Sequence, residues 1–141
     1  MARIAEHISS NTEDTDKVAA EIKDLIKPGD VFALSGNLGC GKTYLVKKIA
    51  GLFGVKNTSS PSFSIVNEYQ GEIKIYHFDF YRIKKVTELY DIGYEEYFDG
   101  EAVVFIEWAD MFPELIPSGC YKIKIRMLNG DERKITLVKD E

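Results

Sequence analysis

Short apolar runs alternate with amphipathic stretches in the first part of the chain. Val31 to Leu34 is a continuous apolar run between turn residues, which is typical of a strand buried on both faces. Apolar positions at helical spacing predict one helix that includes Val18 to Ile26 and another that includes Leu45 to Phe53. One of the polar residues Ser9 to Thr12 is expected to cap the first helix, and Arg3 to Ile8 is a weaker strand candidate. The order strand, helix, strand, helix follows.

Two hairpins are predicted farther along the chain. Phe63 to Tyr69 and Ile73 to Phe80 are rich in β-formers and are joined across a short polar turn with glycine. Tyr121 to Met127 alternates between apolar and basic residues and turns at Asn129-Gly130 into Arg133 to Val138. The second of these is the C-terminal β-hairpin.

The segment between the hairpins adds another strand and two short helices. Ala102 to Ile106 is a second continuous apolar run, and we expect it to lie beside the central strand Val31 to Leu34. Val86 to Tyr90 and Tyr94 to Phe98 are short helical candidates. Parallel strands flanked by helices, together with antiparallel additions, predict an α/β fold with a mixed sheet.

A complete phosphate-binding motif follows the central strand and opens the second helix. The segment Gly36-Asn37-Leu38-Gly39-Cys40-Gly41-Lys42-Thr43 matches G-x-x-x-x-G-K-[ST]. Glycines let backbone N–H groups approach phosphate oxygens, and the helix N-terminus directs partial positive charge at the same anion. Lys42 would contact the β and γ phosphates, and Thr43 would ligate Mg²⁺. The chain is therefore predicted to be one P-loop NTPase-like domain over residues 1–141 that binds a nucleoside triphosphate, most simply ATP.

Two strands end in carboxylates that such a loop requires. Asp79 follows one predicted strand and Glu107 follows another, and strand ends meet at the ligand-binding edge of an open α/β sheet. We assign Glu107 to the metal and Asp79 to water positioning or a shared metal contact, although the two roles could be exchanged. Lys42, Asp79 and Glu107 are the predicted catalytic residues.

Several neighbours of these acids have two possible roles. On an extended strand His77, Asp79 and Tyr81 would share a face, and a lone histidine at such a position is more often a structural residue than a catalyst. Arg82 could contact a phosphate or form a surface ion pair, and Trp108 could line the site or pack in the core. Cys40 occupies a free position of the motif, where a small side chain is sufficient, or it is a redox-sensitive thiol.

Composition limits the partners. The 141 residues carry a net charge of −5, which disfavours sequence-independent nucleic-acid binding. Two cysteines form no metal-site or disulfide pattern, and no stretch has the length and apolarity of a signal peptide or a membrane span. The expected location is cytoplasmic, away from membranes.

Four motifs in order resemble the TsaE (YjeE) family of small bacterial P-loop ATPases in threonylcarbamoyladenosine biosynthesis. They are the phosphate loop, Ser60-Pro61-Ser62-Phe63, His77-Phe78-Asp79-Phe80-Tyr81-Arg82 and Ile106-Glu107-Trp108. The family usually has alanine at the position of Cys40, threonine at that of Ser62 and proline at that of Ala109. These departures are conservative, and Ser62 keeps the hydroxyl.

The resemblance implies a function and a wider set of contacts. It implies a Mg²⁺-dependent ATPase that acts on a complex of two related proteins, one catalytic and one supporting. That complex places threonylcarbamoyl on adenosine 37 of ANN-decoding tRNAs, so this chain would meet tRNA indirectly. Thr43, Glu107 and Asp79 would be the metal contacts. The predicted nucleotide contacts are Asn11, Gly36, Asn37, Leu38, Gly39, Cys40, Gly41, Lys42, Thr43, Tyr44, Ser62 and Arg133.

Two other functions use the same loop. A nucleoside or small-molecule kinase would need an acceptor pocket and usually an arginine-rich lid, whereas this chain has only four scattered arginines, Arg3, Arg82, Arg126 and Arg133. A GTP-driven switch commonly carries Asn-Lys-x-Asp or Thr-Lys-x-Asp, and neither string occurs in the sequence.

Overall fold

The elements of the first half follow the predicted alternation. The structure, a computed structural model, describes residues 2–37, 39–58 and 64–139. β1 (Ala2–Ser9), α1 (Thr12–Leu25), β2 (Val31–Gly36) and α2 (Lys42–Leu52) succeed one another. Asn11 caps α1, because its side chain accepts a hydrogen bond from the backbone N–H of Asp14.

The second half supplies the remaining strands and several short helical turns. The strands are β3 (Val66–Gln70), β4 (Lys74–Asp79), β5 (Val103–Glu107), β6 (Tyr121–Met127) and β7 (Arg133–Lys139). α3 (Thr87–Asp91) and the 3₁₀ turns Phe80–Arg82, Tyr94–Tyr97, Ala109–Met111 and Pro113–Leu115 lie between them. Leu38 and the Ser60 to Phe63 segment with its predicted Ser62 contact lie outside the described residues.

All described strands join one seven-stranded mixed sheet in the order β1-β7-β6-β2-β5-β4-β3. β2 pairs in parallel with β5 on one side and with β6 on the other, and β4 pairs in parallel with β5. The β3–β4, β6–β7 and β1–β7 pairs are antiparallel. The carboxyl ends of β2, β4 and β5 therefore meet at one edge, where the loop before α2 also begins.

The two faces of the sheet are buried by different elements. α1 and α2 pack one face, where Ile22 and Ile49 join Phe32 and Phe105 of the central strands in one core cluster. On the other face, Phe78 lies in a second cluster that includes buried residues of the 3₁₀ turns and α3. Burial of these large apolar side chains is the main favourable contribution to the fold.

The predicted α/β fold with a mixed sheet, flanking helices and a C-terminal hairpin is confirmed, including the position of β5 beside β2. One local prediction was wrong. The strand with His77 ends at Asp79, whose carboxylate accepts a hydrogen bond from Tyr81 N and so starts a 3₁₀ turn. Tyr81 therefore does not continue the strand face of His77 and Asp79. In the described ranges, every helix is too short or too polar to cross a membrane.

Candidate nucleotide-binding site

The phosphate-binding loop connects β2 to α2, and its glycines are required by its geometry. Gly41 caps α2 with φ of 104°, a left-handed conformation that disfavours other residues. A Cβ at Gly36 would lie 2.6 Å from the carbonyl oxygen of Ile125 and 2.7 Å from Cys40 Sγ. Cys40 is buried against this turn, which agrees with its explanation as a small packing residue. The loop places the N-terminus of α2 at the sheet edge.

Lys42 is buried in this loop, and its ammonium contacts the loop backbone. Its Nζ donates to the carbonyl oxygens of Gly36 at 2.5 Å and Asn37 at 3.1 Å. The same nitrogen lies 4.0 Å from the ring centroid of Trp108, a cation–π contact. These contacts offset the cost of burying a charged side chain that is only 4% exposed.

Glu107 ends β5 inside a chain of hydrogen bonds. Its carboxylate accepts from Thr43 Oγ1, at 2.7 Å to one oxygen and 2.9 Å to the other. His77 Nε2 lies 2.5 Å from Glu107 Oε2, and His77 Nδ1 lies 3.0 Å from the hydroxyl of Tyr69. The buried His77 ring thus fixes the orientation of Glu107. The sequence pattern leaves the role of His77 open, and His77 is not among the predicted site residues.

The protonation of Glu107 reflects these neighbours. Burial by itself would raise its pKa, but the hydrogen bond and charge of His77, the Thr43 hydroxyl and the charge of Lys42 together leave the pKa below its ordinary value. Glu107 is therefore an anion near neutral pH. A buried carboxylate that stays charged beside a threonine hydroxyl can accept a divalent cation.

Asp79 lies next to Glu107 because the two residues are paired in register at the ends of β4 and β5. One oxygen of Asp79 accepts from Tyr81 N at 3.1 Å, and the other accepts from Arg82 Nε at 3.1 Å. Arg82 therefore forms the ion pair that was one of its two predicted roles. This pair is partly exposed, so Asp79 remains reachable from the cavity.

Trp108 has the backbone conformation of a turn residue and lines the site. Its φ of 57° is left-handed, which is rare for a bulky side chain, and it starts the 3₁₀ turn after β5. The ring contacts both the ammonium of Lys42 and the ring of Tyr81, whose centroid is 4.8 Å away. Both roles left open for Trp108 are present, because the ring lines the cavity and also packs against the second core cluster. Its position directly after Glu107 was the available signal in the sequence.

These groups surround one cavity of about 540 Å³. Such a volume suits a small ligand. The lining residues of the site cavity are Gly39, Cys40, Gly41, Lys42, Thr43, Tyr44, Asp79, Tyr81, Arg82, Glu107 and Trp108. The structure thus brings together the predicted catalytic residues and most of the predicted loop contacts.

The outlying predicted contacts have different positions. Arg133 packs against the loop, since a Cβ at Gly41 would lie 2.9 Å from its Nη1. Its Nε is buried and has no hydrogen-bond partner among the described residues. Tyr44 is on the cavity wall and donates to Asp16 at 2.7 Å. Asn11 lies outside the described cavity lining, and its hydrogen bonds serve the start of α1.

Comparisons with known proteins identify the family of the chain. The family model described as "Threonylcarbamoyl adenosine biosynthesis protein TsaE" matches residues 9–135. A tRNA threonylcarbamoyladenosine biosynthesis protein TsaE of Bacillus subtilis (strain 168) is 40% identical over 128 residues, which cover 89% of this chain and 80% of the relative. The protein of that description from Aquifex aeolicus (strain VF5) is 37% identical over 145 residues and 99% of each chain.

A solved structure extends the similarity to the fold. The structure described as the crystal structure of Bacillus subtilis YdiB matches with a TM-score of 0.82 and 33% sequence identity, over 100% of this chain and 89% of that chain. The family match includes β2, the phosphate-binding loop, Asp79 and Glu107, and it extends as far as β7. The chain belongs to the TsaE family of threonylcarbamoyladenosine biosynthesis proteins.

Proposed function

We propose that this chain is a Mg²⁺-dependent ATPase of tRNA threonylcarbamoyladenosine biosynthesis. In this proposal it acts in the cytoplasm on a complex of two related proteins, one catalytic and one supporting. That complex modifies adenosine 37 of ANN-decoding tRNAs, so this chain meets tRNA indirectly. The pathway part of the proposal rests on the similarity to TsaE proteins, whereas the nucleotide chemistry rests on the residues of this chain.

One observation carries the nucleotide part of the proposal. The Thr43 hydroxyl, at the start of α2, donates to the buried Glu107 carboxylate at the end of β5. Phosphate-binding loops place a threonine and a strand-end acid together in this way at the metal side of a bound triphosphate. Lys42 and the N-terminus of α2 also line this cavity and suit the phosphate oxygens.

The donor set fits Mg²⁺. The described residues contain no group of three or more His, Cys, Asp or Glu that could hold a metal ion alone. Mg²⁺ does not need such a group, because it commonly binds one or two carboxylates and shares the rest of its shell with phosphates and water. Thr43 and Glu107 would hold it, with Asp79 as a second acid. When bound, the metal would neutralise charge on the transferring phosphoryl group.

Four further residues of this chain have roles in the proposed reaction, in phosphate binding, water orientation and the exclusion of solvent. Lys42 exchanges its contacts with the Gly36 and Asn37 carbonyls for phosphate oxygens of the nucleotide. Asp79 lies beside Glu107 and orients the attacking water. Arg133 adds positive charge next to Gly41. Trp108 shields the Lys42 ammonium from solvent.

Hydrolysis of ATP by the purified protein, with and without the two-protein complex, tests the proposal. We expect slow hydrolysis alone and stimulation of about tenfold or more by the complex, because a partner can supply a charge that a small domain lacks. Mg²⁺ omission should abolish both rates. Binding of ATP without stimulation would reject the pathway assignment and retain the nucleotide site, whereas absence of ATP binding would reject the site itself.

The two alternative functions are separated by simple assays. Competition of ATP and GTP for a fluorescent nucleotide should favour ATP, and a strong preference for GTP would indicate a switch module instead. Incubation with nucleosides and ATP should yield no phosphorylated nucleoside. A phosphorylated product would indicate a kinase.

A further inference from the structure

The outer face of the C-terminal hairpin concentrates positive charge in a chain whose net charge is −5. On β6, Ile123 and Ile125 are buried in the core, while the alternate residues Lys122, Lys124 and Arg126 lie on the opposite face. We call these three cations the basic face. Lys124 and Arg126 are exposed and Lys122 is half-buried. Within the described part of the chain, none of the three takes part in an ion pair.

A cavity continues the basic face towards the 3₁₀ turns after β5. Its volume is about 380 Å³, and Lys122 and Lys124 form part of its wall. The rest of the lining includes the apolar side chains of Pro113 and Ile116, the rim residue Ser118 and a single described acid, Asp110. It shares no lining residue with the cavity at the phosphate-binding loop. The site is thus separate from the nucleotide chemistry.

We propose that the basic face and this cavity bind an acidic segment of a partner protein, with an apolar side chain in the cavity and carboxylates on Lys122 and Lys124. An apolar pocket bordered by unpaired cations matches this combination, because the anchor gains burial and the carboxylates gain complementary charge. The proposal does not depend on ATP hydrolysis. It gives the chain a second interface, which shares no lining residue with the cavity that the nucleotide would occupy.

RNA is a poorer match for this surface. Proteins that bind single-stranded RNA stack its bases on aromatic rings, and the described lining of the cavity contains no aromatic side chain. Duplex RNA would require a broader basic surface, whereas the protein is acidic overall and Lys134, next to Arg126 in register, is paired with Glu6. The charge and the apolar lining together favour an acidic peptide.

Titration of the ¹⁵N-labelled protein with a synthetic peptide tests the proposal. The peptide has a central leucine flanked on each side by glutamates, and the matched peptide has glutamines instead. We expect saturable amide shift changes at Ser118, Lys122 and Lys124 with the glutamate peptide. Raising the salt concentration should weaken the binding, because exposed charges are screened. Replacing the leucine with alanine should weaken binding about tenfold, since the anchor is lost.

Charge reversal supplies the matched control. Lys122→Glu with Lys124→Glu should weaken binding of the glutamate peptide at least about tenfold. Lys17→Glu with Lys27→Glu changes the net charge equally at exposed sites on α1 and just after it, and should leave binding unchanged. Both double variants should keep the wild-type affinity for ATP, which verifies folding.

Three outcomes would overturn the proposal. The first is the absence of saturable shifts, and the second is an equal loss of binding in both double variants. The third is tighter binding of oligouridine than of the glutamate peptide at the same amides, which would identify a nucleic-acid surface. Apart from the peptide titrations, sedimentation of the protein alone tests the occupant, and self-association that requires Lys124 would also overturn the proposal by assigning the surface to a second copy of this chain.

Discussion

The ammonium of Lys42 is almost fully buried, which is unusual for a lysine. The free-energy cost of burying this charge is offset by two backbone carbonyl acceptors and by the face of the Trp108 ring. The ammonium is therefore already held at the loop, so under the proposed function little side-chain entropy would be lost on contact with a phosphate. This organisation explains why the residue should matter more for affinity than other lysines of α2.

Replacing Lys42 tests that argument. Lys42→Ala should lower ATP affinity at least about tenfold, because a charge-assisted contact to phosphate is removed. Lys47→Ala, in the same helix and outside the described cavity lining, should bind ATP like the wild type. Isothermal titration calorimetry with ATP and Mg²⁺ measures both. Equal affinities of Lys42→Ala and the wild type would show that the loop does not bind the triphosphate as proposed.

His77 acts on Glu107 rather than on the nucleotide. His77→Ala removes a hydrogen bond from a buried carboxylate and should lower the free energy of unfolding by about 1–3 kcal/mol. His77→Gln keeps a donor in reach and should recover most of that loss. Urea unfolding measures both variants, and the Mg²⁺ concentration needed for half-maximal hydrolysis should rise only for His77→Ala. A Gln variant as impaired as the Ala variant in both assays would contradict the positioning role.

At the scale of elements, the phosphate-binding loop depends on the contact between β2 and β6. Gly36 is paired in register with Ile125, and the space above its Cα is filled by the Ile125 carbonyl oxygen and Cys40 Sγ. A side chain there would separate the strand end from its neighbour. The motif therefore needs this glycine for sheet packing, in addition to the access of phosphate that the proposed function requires.

A matched pair of glycine substitutions separates packing from backbone strain. Gly119 has φ of 77°, and a Cβ there would meet no atom within 4 Å. Gly119→Ala should therefore lower the free energy of unfolding only by the left-handed strain, about 1–2 kcal/mol. Gly36 has φ of 152°, and a Cβ there would lie 2.6 Å from the carbonyl oxygen of Ile125. Gly36→Ala should therefore lower the free energy of unfolding by about 3 kcal/mol or more. Urea unfolding of both variants provides the comparison. Equal losses would mean that the neighbouring strand moves aside without cost.

Periodicity and motif spacing predicted the elements that position the site, because each depends on local patterns. The apolar runs identified β2 and β5. Because the carboxyl ends of parallel strands meet at one edge of the sheet, Asp79 and Glu107 were predicted to lie close together, as they do. The Glu107–His77–Tyr69 chain could not be predicted, because it depends on register between distant strands. The position of Tyr81 was predicted wrongly. The alternation of apolar and polar residues does not reveal that the Asp79 side chain caps a turn and ends the strand there.

At the scale of the whole molecule, the sheet separates two clusters of different composition. The face covered by α1 and α2 is mainly aliphatic, whereas the other cluster contains Phe78, Phe80 and Tyr94 in mutual ring contact. This aromatic cluster supports β4 from the face opposite His77 and Asp79. Its stability should therefore influence the strand end that carries Asp79.

Tyr94 makes this second cluster sensitive to alkali. Its side chain is buried and its hydroxyl donates to the Leu115 carbonyl oxygen at 2.9 Å. Burial raises the pKa of Tyr94 well above its ordinary value. Because the pKa is raised in the folded state, the contribution of the Tyr94 phenol to the free energy of unfolding is complete below the unfolded-state pKa near 10. That contribution declines as the pH rises above this value.

The variant Tyr94→Phe isolates this effect. At neutral pH it should be less stable than the wild type by about 1 kcal/mol, because the hydrogen bond to Leu115 is lost. Between about pH 9 and about pH 11 the difference should narrow, since only the wild type has this phenol to ionise on unfolding. Urea unfolding at several pH values measures it, with Tyr90→Phe, an exposed tyrosine, as the control that should show a constant difference. A difference for Tyr94→Phe that stays constant or widens would show that the phenol already ionises in the folded protein.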